Sequence, residues 1–201
     1  MNKQPSIKQA LGETDIYLLD QIMKGRYHET DKILDEGCGT GRNMHWFLQN
    51  GIEIVGIDKN KDLIAELKLA NPTISPDRFQ VSLVEKIPFP DNYFDHAISI
   101  AVLHFATNPS HFNSMLAELV RVVKPGGSLF IRIASVMGIE DKVILINDGV
   151  YKIPDGSTRF LLTKPLLSSS MLQNNLSFLE PLKTVNVDDI RCMSTLVLQK
   201  N

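Results

Sequence analysis

A chain of 201 residues, 43% of them hydrophobic, is long enough to bury the core of one α/β domain and leaves little sequence for a second. Its 21 basic and 23 acidic residues give a net charge of −2, and no block of Lys and Arg stands out. This disfavours nucleic acid as a partner, because phosphate contacts need clustered positive charge. The apolar runs are far shorter than a membrane span, and the N-terminus has no apolar core of the signal-peptide type. We therefore predict a single domain over residues 1–201 with no membrane partner.

The cysteines are Cys38, in a glycine-rich turn, and Cys192, near the C-terminus. We expect no disulfide between them, which favours a reducing, cytoplasmic setting. No group of His, Cys, Asp and Glu has the spacing of a metal site, so we predict no metal. The sequence leaves a monomer and a homodimer both open.

The chain is expected to begin with a loose tail over residues 1–5. From Ser6 to Lys24 the spacing of apolar residues predicts one or two helices ahead of the sheet.

A strand, a glycine turn, a helix and a second strand follow. Lys32–Asp35 and Glu53–Ile57 are short apolar runs, typical of buried parallel strands. The turn Gly37–Gly41 has three glycines, which let the backbone pass close to a ligand. It precedes a predicted helix over 42–50, so we expect free N–H groups and the helix dipole to face an anionic ligand group. Asp58 ends the second strand, where it can accept hydrogen bonds from a ribose diol.

The glycine spacing separates two classes of cofactor. The dinucleotide fingerprint is G-x-G-x-x-G, whereas this turn is G-x-G-x-G and has Arg42 in place of the third glycine of that fingerprint. A nicotinamide-dependent dehydrogenase is therefore disfavoured, and only binding of NAD would support that hypothesis again.

Further strands alternate with helices along the chain. We predict strands over Arg78–Leu83, Tyr93–Ile100 and Ser128–Ala134, and an amphipathic helix over Pro109–Val123. Such alternation predicts an α/β, Rossmann-like doubly wound sheet. Ligands bind at the carboxyl ends of its strands, which places Ala101–Phe105 at the site.

The last third of the chain predicts an insertion, a helix and two edge strands. Turn signals around β-prone residues predict a hairpin within Ser135–Arg159. A helix is expected over Thr163–Asn174, followed by strands Phe178–Val187 and Arg191–Gln199. We therefore expect a seven-stranded sheet with an antiparallel C-terminal strand.

These motifs resemble those of class I S-adenosylmethionine-dependent methyltransferases. The resemblance rests on ILDEGCGTG and GIDK, on the loop PFPDNYFD, and on LAELVRVVKPGGSLFI; it covers most of residues 30–135. GCGTGRN and GIDKN are especially similar to the tellurite-resistance and small-molecule methyltransferases of the type 11 group. The resemblance implies an enzyme with S-adenosylmethionine as cofactor, S-adenosylhomocysteine as product and a small-molecule acceptor that the motifs do not identify.

The resemblance also implies which residues hold the cofactor. The glycine turn would hold the methionine moiety, Asp58 the ribose, and Lys59 the border of the adenine. The implied set is Asp35, Glu36, Gly37, Cys38, Gly39, Arg42, Asn43, Asp58, Lys59, Leu83, Val84 and Ala101. The family usually has an acid where Leu83 stands, so adenine would be held by the backbone or by Glu85, although we expect Glu85, like His111, to face solvent.

On the acceptor side, residues 1–30 would form a helical lid and residues 135–160 would build the pocket. His104 is the one candidate for a general base, with a purely structural role as the alternative. Arg132 is a charge within a strand, so it either holds an anionic substrate or has an internal acidic partner. The candidates for substrate contact are Arg132, Tyr151, Arg159 and Phe160, with a surface hairpin that binds nothing as the alternative.

Two other functions stay open at this point. One is a non-catalytic module that binds S-adenosylmethionine, and the other is a nucleic-acid methyltransferase.

Overall fold

The computed structural model describes residues 6–201, so the tail predicted at residues 1–5 lies outside the described residues. The α-helices are α1 (Ile7–Leu11), α2 (Ile16–Met23), α3 (His45–Gln49), α4 (Lys61–Ala70), α5 (Pro109–Val122) and α6 (Lys164–Gln173). The strands are β1 (Lys32–Glu36), β2 (Glu53–Asp58), β3 (Phe79–Val81), β4 (Phe94–Ile100), β5 (Val123–Ala134), β6 (Ile144–Asn147), β7 (Val150–Lys152), β8 (Thr158–Phe160), β9 (Leu176–Phe178), β10 (Lys183–Val187) and β11 (Arg191–Lys200).

The main sheet has the strand order β10-β11-β5-β4-β1-β2-β3, with β9 paired to β11. Strands β1 to β5 are parallel neighbours, whereas β11 runs antiparallel to β5, β9 and β10. The predicted doubly wound sheet with an antiparallel C-terminal strand is therefore confirmed. The sheet has eight strands rather than seven, because the chain after α6 forms the short additional strand β9.

The order of the strands reverses between β1 and β4. The chain moves outward from β1 to β3 and then returns to place β4 on the other side of β1, with Glu36 opposite Ser99 in the register. In a doubly wound sheet a crevice opens at such a reversal, outside the carboxyl ends of the strands. The glycine turn after β1 and the segment after β4 meet there.

Apolar layers cover both faces of the main sheet. Side chains alternate along β1, so that Ile33 and Leu34 enter different clusters on opposite faces. Leu34 packs in the cluster that contains Leu119 of α5, while Ile33 packs in the one that contains Phe47 of α3. Each fully buried side chain of this size contributes about 1.5–3 kcal/mol by removal from water.

The segment predicted as a hairpin insertion forms a separate three-stranded antiparallel sheet, β6-β7-β8. The third strand forms because the turn around Gly156 reverses the chain and lets β8 pair with β7. The small sheet contacts the β10–β11 turn, where the N–H of Asp155 donates to the carbonyl of Ile190 at 3.2 Å.

Cys38 and Cys192 are buried and unpaired with one another, as expected. Within residues 6–201, no group of three or more His, Cys, Asp and Glu is arranged to hold a metal ion. None of the helices in that range combines the length and the apolar character needed to cross a membrane.

Candidate functional site

Two cavities meet at Ala101, the first residue after β4. The wider cavity, of about 490 Å³, extends from Ala101 toward β5, the small sheet and the β10–β11 turn. The narrower cavity, of about 210 Å³, lies between the glycine turn, the end of β2 and the segment after β3. Ala101 lines both cavities and has a φ of +62°, a conformation that is uncommon outside glycine and that costs of order 1–3 kcal/mol.

The three glycines of the turn differ in how much space surrounds their α-carbons. Gly37, Gly39 and Gly41 all have positive φ angles, of 68°, 55° and 81°. A Cβ atom on Gly37 would lie 2.4 Å from a methyl group of Val102, and one on Gly41 would lie 2.5 Å from a methyl group of Leu67. A Cβ atom on Gly39 would meet nothing within 4 Å. Two of the glycines therefore permit close packing, whereas the space around the α-carbon of Gly39 is open.

The N–H groups of the turn are largely used within the protein. Cys38 donates to the carbonyl of Ile57 at 3.0 Å, Gly39 to Oδ2 of Asp58 at 3.0 Å, and Gly41 to the carbonyl of Cys38 at 2.9 Å. The expectation that free N–H groups of this turn face an anion is thus wrong for the N–H groups of Cys38, Gly39 and Gly41. The predicted helix over 42–50 is also shorter than expected, since α3 begins only at His45.

The carboxylate of Asp58 connects the glycine turn to the start of α4 by hydrogen bonds. While Oδ2 accepts from Gly39, Oδ1 accepts from the N–H of Asn60 at 2.8 Å, and Asn60 in turn caps α4. The carboxylate is half-buried and lines the narrower cavity together with Lys59. A carboxylate has about four lone-pair positions, so Asp58 retains the capacity to accept further hydrogen bonds from a ligand.

Asp35 and Glu36 are buried acids at the end of β1, with exposed fractions of 1% and 0%. One oxygen of Asp35 and both side-chain oxygens of Glu36 have no hydrogen-bond partner. Burial raises the pKa of Asp35 to about 7, opposed by the charge of Arg42. Burial likewise raises the pKa of Glu36 to about 8, opposed by the hydroxyl of Ser99 on the adjacent strand. Neither acid is among the residues that line the two cavities.

The other predicted residues of the turn are divided between the interior and the cavities. Cys38 and Asn43 are each 5% exposed, and Oδ1 of Asn43 accepts from the N–H of Asp15 at 3.1 Å. Asn43 thereby connects the turn to the leading helices. Arg42, in contrast, is exposed and lines the wider cavity.

The adenine side predicted at Leu83 and Val84 lies in the narrower cavity, which both residues line. Glu85 and His111 line it as well, and their side chains form a 2.7 Å contact between Oε1 and Nε2. The expectation that these two residues face solvent independently is therefore wrong. Partial burial acts to raise the pKa of Glu85, but hydrogen bonds from its own backbone and from His111 hold it below its ordinary value. No local sequence signal links residues 85 and 111, which only the fold brings together.

His104 lines the wider cavity next to Ala101 and is 8% exposed. Its Nδ1 atom has no hydrogen-bond partner among the described residues. Burial, and after it the charge of Arg159, lowers the pKa of His104 to about 4. The imidazole is consequently neutral near pH 7 and has a nitrogen that can accept a proton.

Arg132 has an internal partner. Its guanidinium pairs with the carboxylate of Asp15, which caps α2, and stacks over the ring of Tyr17 at 4.5 Å from the centroid. The pair joins the leading helices to the central strand β5, although Arg132 also contributes to the wall of the wider cavity. Of the two roles considered for this arginine, the structure shows the internal pair.

The candidates for substrate contact in the insertion have different positions. Arg159 lines the wider cavity, with its guanidinium 5.4 Å from the ring centroid of Phe105. Phe160 is 1% exposed and is stacked on Phe112 in the core, so its prediction as a contact residue is corrected. Tyr151 packs against a small apolar cluster and lines neither cavity, which places it outside the site as well.

Several cavity residues were not predicted. They come from the turn between β7 and β8 and from the β10–β11 hairpin, and they include Asp155, Arg191 and Met193. Their positions depend on the docking of the small sheet against the edge of the main sheet, for which the sequence offers no local signal.

Comparison with known protein families identifies residues 34–131 as a methyltransferase domain. An uncharacterised methyltransferase of Schizosaccharomyces pombe is 33% identical over 55% of this chain and 41% of its own length. A tRNA (carboxymethyluridine(34)-5-O)-methyltransferase of Arabidopsis thaliana is 36% identical over 50% of this chain and 23% of its own length. A ubiquinone/menaquinone biosynthesis C-methyltransferase of Chromobacterium violaceum is 36% identical over 50% of this chain and 42% of its own length. The chain thus spans less than half the length of these curated relatives.

Solved structures show the same fold. A SAM-dependent methyltransferase of Methanosarcina mazei aligns with a TM-score of 0.73 at 20% identity, over 89% of this chain and 96% of its own. The 1,6-didemethyltoxoflavin-N1-methyltransferase of Burkholderia thailandensis, whose structure contains bound 1,6-didemethyltoxoflavin and S-adenosylhomocysteine, aligns with a TM-score of 0.67 at 17% identity, over 90% of this chain and 74% of its own. Residues 34–131 thus match a methyltransferase domain, and the chain has the same fold as these solved structures.

Proposed function

We propose that this chain transfers a methyl group from S-adenosylmethionine to a small-molecule acceptor. The observation that supports this best is the arrangement of two different cavities around Ala101. The narrower one has a carboxylate, Asp58, and apolar walls, which suit a nucleoside. The wider one has a neutral imidazole, His104, and a charged rim, which suit an acceptor.

The residues of the narrower cavity fit the cofactor. Asp58 has lone pairs available for the ribose hydroxyls, while Leu83 and Val84 offer backbone groups and apolar contact to the adenine. The open space beside Gly39 lets the methionine chain pass toward the wider cavity, where Arg42 can meet its carboxylate. When bound, S-adenosylmethionine supplies an electrophilic methyl group on a sulfonium.

The protein's own part in such a reaction is positioning and exclusion of water. Ala101 separates the cofactor side from the acceptor side, and its backbone is held by a 2.9 Å hydrogen bond from its N–H to the carbonyl of Arg132. His104 is the candidate to accept a proton from an acceptor that must lose one. Its lowered pKa keeps it unprotonated, and therefore able to act as a base, over the whole neutral range.

The relatives leave the class of acceptor open, since one is named for a tRNA substrate and another for a quinone. The small-molecule proposal is supported by the net charge of −2 and by the wider cavity, whose volume of about 490 Å³ is within the range of small-molecule sites. The alternative to the proposed enzyme is a module that binds S-adenosylmethionine without catalysing methyl transfer.

Calorimetric titration with S-adenosylhomocysteine, with NAD as the control ligand, tests the cofactor. Replacement of Asp58 by Asn should lower the affinity for S-adenosylhomocysteine by about tenfold to a hundredfold, because a charge-assisted hydrogen bond contributes about 1.5–3 kcal/mol. Asp62 is an exposed acid in the first turn of α4, four residues after Asp58, and lines neither cavity, so Asp62→Asn is the matched control and should bind normally.

An affinity that is unchanged in Asp58→Asn would contradict the assignment of the ribose site. Binding of NAD without binding of S-adenosylhomocysteine would contradict the cofactor. Release of S-adenosylhomocysteine during incubation with a panel of small acceptors then separates an enzyme from a non-catalytic module.

A further inference from the structure

The wider cavity has more arginine than its acids can neutralise. The charged residues that line it are Asp15, Arg42, Arg132, Asp155, Arg159 and Arg191. The charge of Arg132 is compensated by Asp15, and Arg42 lies beside the glycine turn. We propose that Arg159 and Arg191 form an anion subsite, and that the acceptor is a small organic anion held there. The identity of this ligand as the acceptor rests on the proposed function.

Arg159 lies at the inner end of the cavity. It is half-buried on β8, beside the ring of Phe105, which immediately follows His104. Arg159 and His104 line the same cavity, and the ring of Phe105 contacts both, with centroid distances of 5.4 Å to the guanidinium and 4.7 Å to the imidazole. An anionic group on Arg159 would therefore hold the body of a ligand next to His104 and Ala101, where the two cavities meet.

Arg191 lies at the outer end, where β11 begins. Asp155 is near both arginines: hydrogen bonds from Ser157, and then the charges of Arg191 and Arg159, hold its pKa below the ordinary value. Asp155 is already engaged, because its Oδ1 accepts from the N–H of Ser157 at 2.9 Å. Neither Arg159 nor Arg191 forms an ion pair with any carboxylate in the part of the chain that the structure describes. One acid thus faces two guanidinium groups.

This imbalance favours an anionic ligand on physical grounds. Positive charges that line the same cavity repel one another, and the cofactor would add a sulfonium cation nearby. A carboxylate relieves that repulsion and matches the planar, two-donor edge of a guanidinium. The apolar side chains of Ile153 and Met193 also line the cavity and can cover the organic part of such a ligand. A cavity of about 490 Å³ is within the range that small-molecule sites occupy.

Phosphates of a nucleic acid would also bind arginine, but the observations favour a small ligand. The two arginines line a single cavity, whereas a nucleic acid needs positive charge spread along a surface. The chain as a whole has a net charge of −2. A nucleic-acid ligand is therefore an outcome that the test must be able to detect.

The test is calorimetric titration with pairs of ligands that differ in charge but hardly in shape, at constant ionic strength. Benzoate is compared with benzamide, and indole-3-acetate with indole-3-acetamide, with and without saturating S-adenosylhomocysteine. The variants are Arg159→Gln, Arg191→Gln and the double variant. Lys152→Gln is the matched control, because Lys152 is an exposed cation on the same small sheet but lines neither cavity.

We expect at least one carboxylate to bind the unmodified protein at least about tenfold more tightly than its amide, as charge-assisted bonds to guanidinium predict. The preference should weaken in each single variant, vanish in the double variant and persist in Lys152→Gln. The double variant should keep its affinity for S-adenosylhomocysteine, which excludes misfolding as the cause.

The proposal is overturned if neither carboxylate is preferred over its amide, or if the preference survives in the double variant. It is also overturned in favour of a nucleic-acid ligand if a single-stranded RNA oligonucleotide binds with steep salt dependence and the carboxylates do not. Failure to bind S-adenosylhomocysteine would instead refute the proposed function. The charge preference measured without that ligand would still decide the subsite.

Discussion

The open space beside Gly39 leads to a prediction that separates stability from binding. Gly39 and Gly51 both have positive φ angles, of 55° and 73°, and a Cβ atom on either would meet nothing within 4 Å. Replacement of either by Ala should therefore cost only the left-handed backbone conformation, about 1–2 kcal/mol of the free energy of unfolding. Gly39 lies in the turn between the two cavities, whereas Gly51 lies in the turn between α3 and β2.

If the methionine chain of the cofactor passes Gly39, the added methyl group obstructs it. Gly39→Ala should then reduce the affinity for S-adenosylhomocysteine by at least about tenfold, equivalent to about 1.4 kcal/mol, and Gly51→Ala should leave it unchanged. Urea unfolding measures the first quantity and calorimetric titration the second, on the same two variants. Equal affinities for S-adenosylhomocysteine in the two variants would refute the reasoning, because it would mean that the space beside Gly39 is not used. A much larger loss of stability in Gly39→Ala would show that its environment is tighter than the structure indicates.

Three further predictions concern the buried ionisable groups Glu36, His104, Asp15 and Arg132. The raised pKa of Glu36 means that, between pH 4.5 and about 8, the folded chain holds a proton that the unfolded chain releases. The stabilising contribution of Glu36 is therefore complete below pH 4.5 and is lost, by up to about 1.4 kcal/mol per pH unit, as the pH rises toward about 8. Asp35, whose pKa burial raises to about 7, adds a slope of the same sign, so Glu36→Gln should reduce the slope in urea unfolding between pH 5.5 and 7.5 without abolishing it. An unaltered slope would show that Glu36 is ionised in the folded chain. His104→Gln should lower kcat by about 100-fold without altering the affinity for S-adenosylhomocysteine if His104 acts as a base, whereas a structural role would lower stability instead. Asp15→Asn or Arg132→Met alone should lower the free energy of unfolding by about 3 kcal/mol, since each leaves a buried charge unpaired. The double variant should lose less than the sum of the two single losses, whereas additive losses would show that the pair is not coupled.

The parts of the fold that the sequence predicts correctly are those determined by local pattern. Strands β1 and β2 are short apolar runs and α5 has an apolar face at helical spacing, and each appears within a few residues of its predicted bounds. The order of the strands follows from the alternation of helix and strand together with the family resemblance. His96 lies within β4, between Asp31 and the hydroxyl of Ser128, and packs edge-on against Tyr27.

The errors concern groups whose surroundings are set by distant residues. The helix predicted over 42–50 loses its first turn, where the side chain of Asn43 is instead engaged with the leading segment. Glu85 and His111 look like solvated polar residues in sequence, yet their neighbouring loops converge and pair them. Phe160 follows Arg159 on β8, and adjacent side chains of a strand point to opposite faces. Because Arg159 points into the cavity, Phe160 points into the core. A pattern with period two predicts that the two differ, but not which of them faces the ligand.

The two sides of the proposed site come from different parts of the chain. Asp58, Leu83, Val84 and Ala101, on the proposed cofactor side, all lie within residues 34–131, the segment that matches a methyltransferase domain. The proposed anion subsite uses β8 and β11, both outside that segment. If the chain transfers a methyl group as proposed, substitutions in β8 and β11 would change the acceptor without altering the glycine turn or the acid at the end of β2. Relatives named for a tRNA and for a quinone each align with about half of this chain, so a shared cofactor side is compatible with different acceptors. Under the proposed function, the residues that decide the acceptor therefore have to be sought in the small sheet and the C-terminal hairpin.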